Sequence, residues 1–336
     1  MSKIDKIFIV GNSRSGTTMM GRILNNHPEI FTFKELHFFG RLFSSRDQSK
    51  YFNKPESIRL FSNLICIQEH GIFHKVDANL YNDISESVLC KSNYTPIEIY
   101  NNFLDYNAIK NKSSIACEQT PGNLFYLNEI SNNLSNVKFI NMVRDPRDIL
   151  LSQKNKWRRR YFGASSIPFF ETLRAFFNYH PITISKLWNS SLLSVLNFSN
   201  QSLVHTVYFE DLLINPEKVI RDVCLFLEIK FSSDMLNVPN IGSSNTTDLR
   251  EIKIDKSKIE QWKSGGLTNA EIYLCQKLCG NMMIRNKYKL KKFSYFPLMT
   301  LLIMFTFPIK VFMALIFNLH RFRSFKDVII KRIFPK

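Results

Sequence analysis

Gly11-Asn-Ser-Arg-Ser-Gly16-Thr17-Thr18 concentrates residue types that hold an anion. Small side chains at Ser13, Ser15 and Gly16 let successive backbone N–H groups face one ligand, and Thr17 and Thr18 open a helix whose N-terminus attracts negative charge. Arg14 adds a planar fork of donors that matches two oxygens of a phosphate or sulfate. The spacing is nearly that of a Walker A loop, Gly-x4-Gly-Lys-[Ser/Thr]. Thr17, however, stands where that loop needs a lysine for the β- and γ-phosphates of a triphosphate. The loop keeps an anion cradle and lacks the signature of triphosphate hydrolysis. A plain helix cap would need fewer of these residues.

The elements around the loop follow from hydrophobic period. Residues 6–10 form a short apolar run ending at Gly11, which reads as a buried strand. From Thr18 the positions Met19, Met20, Ile23 and Leu24 have helical spacing up to His27-Pro28. Val137–Val143 reads as a second strand, followed by Arg144-Asp-Pro-Arg-Asp148 and a helix through Ile149, Leu150 and Leu151, with Pro146 suited to its first turn. A third strand is expected over Leu203–Tyr208, and Asn215-Pro216-Glu217 starts a helix reaching about Leu227. Three strand-then-helix units predict an α/β, P-loop-like three-layer fold around a central parallel sheet. Residues 40–115 and 157–200 read as mostly helical insertions over the site.

The Gly11–Thr18 loop, followed by its amphipathic helix to His27-Pro28, resembles the 5′-phosphosulfate loop of sulfotransferases, in the branch with tyrosylprotein, carbohydrate and many bacterial members. Val143-Arg144-Asp-Pro-Arg-Asp-Ile-Leu-Leu-Ser152 independently resembles that family's 3′-phosphate motif, an Arg at a strand end and a Ser eight residues on. Arg144 leaves the strand, Ser152 lies two turns along the next helix, and both can face one phosphate. The resemblance implies 3′-phosphoadenosine 5′-phosphosulfate as co-substrate, with no metal, clasped at one end by Ser13, Arg14, Ser15, Gly16, Thr17 and Thr18 and at the other by Arg144 and Ser152. It implies transfer of a sulfuryl group to an acceptor hydroxyl by in-line displacement.

Three catalytic roles come with it. Glu35 lies where tyrosylprotein-type members carry a catalytic Glu after their His-Pro, so it is the expected general base; His37 is a second candidate, or a wall of the acceptor cleft. Arg14 stabilises the transferring group. Glu118-Gln119-Thr120-Pro121 resembles a segment in which many relatives have Glu-Lys-Thr-Pro, their lysine near the bridging oxygen of the donor. Gln119 can donate a hydrogen bond but supplies no full charge. Stabilisation of the leaving group then rests on Arg14 and the loop dipoles, or on a basic residue of Lys154, Lys156, Arg158, Arg159 and Arg160. That stretch could otherwise guide the donor, grip the acceptor or form a solvated face. Ser243-Ser244 and Trp262–Leu267 fall where relatives fold a loop over the nucleotide, although Trp262 also suits a core position.

Composition bounds the rest. The 336 residues carry 45 Lys+Arg against 28 Asp+Glu, a net charge of +17, which fits an anionic partner: nucleic acid, a membrane surface or a small polyanion. The basic clusters lack interleaved aromatics and no nucleic-acid module is present, so nucleic acid is not expected. Cys66, Cys90, Cys117, Cys224, Cys275 and Cys279 form no CxxC pair and have no His at zinc spacing, which predicts reduced core cysteines and a cytoplasmic setting. No signal peptide is evident at the N-terminus.

Phe296–Leu319 is almost wholly apolar, with Pro308 and Lys310 inside and basic residues on both flanks. Cations on both sides argue against a simple crossing and predict an interfacial or re-entrant hairpin turning near Pro308. A membrane span, or an apolar helical pair on the catalytic domain or a partner subunit, are the other arrangements. The expected organisation is a catalytic domain over 1–290 and a membrane-associated tail over 291–336, with a carbohydrate or glycolipid as acceptor. Two other functions remain open: a P-loop kinase or other nucleotide phosphotransferase, and an inactive membrane-surface scaffold, for which Gln119 is the best support.

Overall fold

The computed structural model describes residues 5–73, 75–161, 167–238, 256–319 and 321–333; Ser243 and Ser244 lie outside them. Among these residues one parallel sheet is formed by β1 (Lys6–Gly11), β2 (Ile30–Thr32), β3 (Ile115–Glu118), β4 (Val137–Val143) and β5 (Val204–Tyr208), in the order β2-β3-β1-β4-β5. The helices in the first half are α1 (Thr17–Asn25), α2 (Lys54–His70), α3 (Asn82–Val88), α4 (Pro96–Lys110), α5 (Leu127–Asn133) and α6 (Pro146–Lys154). They are followed by α7 (Phe169–Asn178), α8 (Pro181–Leu196), α9 (Phe209–Ile214), α10 (Pro216–Leu227), α11 (Asn269–Arg285), α12 (Met299–Asn318) and α13 (Phe325–Ile333).

The three-layer α/β architecture expected from the sequence is present. Because side chains alternate along a strand, Phe8 and Val10 join one core with Phe61 of α2 and Phe103 of α4, while Ile7 and Ile9 join another with Ile23 and Leu24 of α1 and Val223 of α10. Both faces of the sheet are covered, which is why its strands read as continuous apolar runs. The insertions are helical as expected: α2, α3 and α4 lie within 40–115, α7 and α8 within 157–200. Pro146 stands in the first turn of α6, and Asp145 caps that helix by accepting from the Arg147 N–H at 2.8 Å.

Two strands had no sequence signal. β2 and β3 are three and four residues long, too short for a period to show. They are strands because β3 pairs with both β1 and β2. The resulting order sets β1 beside β4, and the connection after β1 runs toward one edge of the sheet while that after β4 runs toward the other. The carboxyl ends of the strands then border the crevice in which open α/β sheets bind ligands.

The tail corrects an expectation. α12 runs unbroken from Met299 to Asn318 through Pro308, and no hairpin turns there. Docking on both sides of the proline explains the continuity. Before it, the Ile303 carbonyl lies 3.0 Å from His180 Nε2; beyond it, Lys310 Nζ donates to the Phe176 carbonyl at 3.2 Å and Asn318 Nδ2 to Asn178 Oδ1 at 2.8 Å. Phe317 stacks on Phe177 with ring centroids 5.0 Å apart. Lys310 therefore faces α7 and its aromatic rings, which removes the conflict between a charge and an apolar helix. The opposite face, Leu301, Phe305, Ile309, Phe312 and Ile316, is exposed at helical spacing.

Candidate active site

Every sequence-predicted site residue sits at or just beyond the carboxyl edge of the sheet. The Gly11–Gly16 loop follows β1, Glu35 and His37 follow β2, Gln119 follows β3, and Arg144 and Ser152 follow β4. The first loop owes its shape to three left-handed positions, Gly11, Arg14 and Gly16, with φ of 147°, 77° and 100°. A side chain on Gly16 would collide with the Phe209 ring, and one on Gly11 with the Met142 carbonyl. Ser15 is buried and its Oγ donates to the Asn12 carbonyl at 2.6 Å, and Thr17 is buried as well. Their side chains build the loop, while Ser13, Arg14 and Thr18 are half-exposed. No side chain caps α1 and no acidic residue occupies its first turn, which leaves its first N–H groups to an outside anion.

The two phosphate motifs adjoin. Arg14 Nε donates to Ser152 Oγ at 2.8 Å, and Arg144 Nη1 donates to the Arg14 carbonyl at 3.3 Å. Arg144 also donates through Nη2 to the Lys258 carbonyl at 2.9 Å and lies over the Phe209 ring. Its Nε is buried without a partner among the described residues, a donor that an anion would satisfy. Burial, with Arg159 and Arg144 nearby, lowers the pKa of Arg14 to about 10 against the pull of Glu35. Crowded, desolvated cations of this kind are a fitting seat for a multiply charged anion.

Glu35 and His37 form a pair, with Oε2 and Nε2 3.2 Å apart. Burial alone would raise the Glu35 pKa. The hydrogen bond and charge of His37, with Lys156 and Arg14, outweigh it and hold the carboxyl below its ordinary value. Glu35 is thus a carboxylate at neutral pH, on the same crevice as Arg14.

What holds Glu35 in place is a residue of the Glu-Gln-Thr-Pro segment whose role no spacing in the sequence signals. Glu118, 1% exposed at the end of β3, accepts from the Leu36 N–H at 3.3 Å and the Thr120 N–H at 3.0 Å, and also from Thr120 Oγ1 and Asn123 Nδ2. Thr120 Oγ1 in turn accepts from the His37 N–H at 3.1 Å. Burial still dominates, raising the Glu118 pKa to about 7. The Glu-Gln-Thr-Pro segment therefore clamps the strand end that carries the candidate base.

Gln119 points elsewhere. Its Nε2 donates to the Phe33 carbonyl at 2.7 Å, and its side chain packs where a Cβ on Gly21 of α1 would be. Of the basic stretch, Lys154 pairs with Glu271 at 2.8 Å, and Arg158 lies over the Trp157 ring. Lys156 and Arg159 instead act on Glu35 and Arg14. Burial, then Arg174 and Arg14, lower the Lys156 pKa to about 7 despite Glu35. Trp262 is buried under Arg147, whose guanidinium lies 3.9 Å from the ring centroid, and the Trp262 backbone N–H donates to Asp148 Oδ1 at 2.9 Å; it is a core residue here.

No curated protein matches the chain in sequence. Among solved structures, the sulfotransferase domain from the curacin biosynthetic pathway superposes with a TM-score of 0.52 at 18% identity, covering 86% of this chain and all (100%) of that one. The sulfotransferase domain of the Synechococcus PCC 7002 olefin synthase gives 0.51 at 20% identity, covering 87% and 98%. These likenesses establish the fold. The sequence profile of the sulfotransferase family matches residues 6–233, a span that contains the Arg14 loop, Glu35, Glu118 and the Arg144–Ser152 motif: the chain belongs to the sulfotransferase family.

Proposed function

We propose that this protein transfers a sulfuryl group from 3′-phosphoadenosine 5′-phosphosulfate to the hydroxyl of a carbohydrate or glycolipid acceptor. One observation carries the reading: Arg14, Ser152 and Arg144, from segments far apart in sequence, are linked by hydrogen bonds, and the charge of Arg14 reaches the Glu35 carboxylate. The donor's chemistry is a sulfuryl group carried on a bisphosphate. Arg14, the N-terminus of α1 and the unsatisfied Arg144 Nε fit its anionic groups. In this scheme Glu35 takes the proton of the acceptor hydroxyl as that oxygen bonds to sulfur and the bond from sulfur to the phosphate oxygen breaks. Arg14 offsets the charge that develops on the equatorial and leaving oxygens. Lys156, acting on the same carboxylate and arginine, supplies the cation that relatives place at the Gln119 position.

We assign catalysis to residues 1–290 and membrane association to residues 291–336. The helix α12 is long and apolar enough to cross a bilayer by length and composition. With one side docked on α7 and the other exposed, it suits the interface of a cytoplasmic membrane surface better.

Thermal shift separates this function from nucleotide phosphotransfer. 3′-Phosphoadenosine 5′-phosphate should raise Tm and ATP with Mg²⁺ should not; the reverse result would establish the phosphotransferase reading. Incubation with sulfur-labelled donor and a membrane or polysaccharide extract should then label one fraction. Donor binding with no transfer to any fraction would favour the inactive scaffold.

A further inference from the structure

Beside the Glu35–His37 pair lies a cavity of about 40 Å³, lined among others by His37, Gly40, Arg41, Tyr126, Arg321 and Arg332. This is several times the space one water needs. Gly40 keeps it open: at φ 86°, a Cβ there would sit 3.1 Å from Tyr126 Oη and 3.3 Å from Val328. The three arginines arrive from distant parts of the chain, Arg41 after β2, Arg321 beyond α12 and Arg332 on α13.

The charge at this cavity is unbalanced. Arg174 of α7 acts electrostatically on all three arginines. Glu171 answers Arg174 at 2.6 Å and Arg321 at 2.7 Å. Two further carboxylates act on Tyr126: Glu129 pairs with Lys331, and Asp327 accepts from the Ser45 N–H at 3.1 Å and keeps its charge, so among these groups four arginines and Lys331 face three carboxylates. Burial lowers Arg41, Arg332 and Arg321, the last to about 10. Independently, the Tyr126 hydroxyl, on a residue 4% exposed, is buried with no hydrogen-bond partner among the described residues. Guanidinium forks with an idle hydroxyl donor make a receptor for a tetrahedral oxyanion.

We propose that this cavity is an acceptor subsite that binds a phosphate group carried by the acceptor, next to the hydroxyl that Glu35 deprotonates. The assignment rests on the sulfuryl-transfer function and narrows its acceptor to a phosphorylated one. The phosphate belongs to a lipid headgroup or to a soluble sugar phosphate. Two walls of the cavity come from the chain that follows α12, the helix with the exposed apolar face.

The test is calorimetric titration of the full-length protein already saturated with 3′-phosphoadenosine 5′-phosphate, which keeps the probes out of the donor site. The probes are glucose 1-phosphate, unphosphorylated glucose, phosphatidylglycerol vesicles and phosphatidylcholine vesicles. Binding of glucose 1-phosphate but not glucose is expected for a soluble source; for a lipid source, binding to phosphatidylglycerol vesicles should be weakened by substitutions in the cavity that leave α12 untouched. Arg332→Gln should weaken that binding about tenfold or more. Tyr126→Phe, which removes an unpartnered hydroxyl and leaves the packing, should weaken it severalfold. The affinity for 3′-phosphoadenosine 5′-phosphate should stay unchanged in both. No binding of any phosphorylated probe, or wild-type binding in both variants, overturns the subsite. Failure of the nucleotide itself to bind would instead bring down the donor assignment.

Discussion

Glu35 and His37, the two candidate bases, share one hydrogen bond, and the neighbours of Glu35 set its charge. With Lys156 and Arg14 in range, Glu35 is held ionised. Glu35→Gln keeps the size and the contact with His37 but cannot accept a proton. Turnover should fall by about 10²–10⁴-fold while 3′-phosphoadenosine 5′-phosphate binds as before; a variant of near-normal rate would shift the role to His37. Lys156 gives a pH prediction. Its free-enzyme pKa is lowered to about 7, so the cation is present below that value and lost above it. Affinity for the anionic nucleotide should therefore decline as pH rises through about 7. Lys156→Met should bind more weakly at pH 6 and remove this decline, as followed by calorimetry across pH 6–8. An unaltered profile would place the titration elsewhere.

At the scale of elements, the phosphate loop depends on the β5–α9 junction behind it. Gly16 adopts φ 100° with Phe209 against its open side, and the same ring lies under Arg144. Gly16→Ala would strain the backbone and push the ring, at a cost of about 1–3 kcal/mol. Urea denaturation should show a lower midpoint with little change in slope. Nucleotide binding should weaken too, because the loop and Arg144 lean on one aromatic support. A variant as stable as wild type would mean that the loop tolerates another path. The β3–β2 clamp is a second such device: Glu118 spends its carboxylate on the Leu36 and Thr120 N–H groups and so transmits the sheet's rigidity to Glu35.

For the whole molecule, the exposed face of α12 bears on where it works. α12 covers α7 with one face and leaves Leu301, Phe305 and Phe312 outward on the other. An apolar stripe of that length on a chain of net charge +17 suits an anionic membrane surface. Full-length protein should co-float with phosphatidylglycerol vesicles. The triple variant Leu301→Lys, Phe305→Lys and Phe312→Lys changes exposed positions alone, so it should remain folded and stay at the bottom of the gradient. Persistent flotation would assign membrane binding to another surface.

The Gly11–Gly16 loop and the Arg144–Ser152 motif, as candidate anion sites, and the long apolar strands were legible in the chain itself, because each depends on residue types at short, regular spacing. Local sequence also carried the three-layer fold, through alternating apolar strands and helical periods. Other features arise from contacts between segments with no sequence proximity, and the tertiary structure alone could decide them. β2 and β3 are strands by virtue of pairing, not propensity. Glu118 is a clamp because β3 lies beside the strand that carries Glu35. Gln119 turns to Phe33 and leaves Lys156 as the cation near the base. Pro308 fails to turn the chain because His180 before α8 holds the helix on one side of it and α7 on the other. The arginine-lined cavity joins residues 41 and 332, which are brought together by folding; a motif records neighbours along the chain, and a charge acts on neighbours in space.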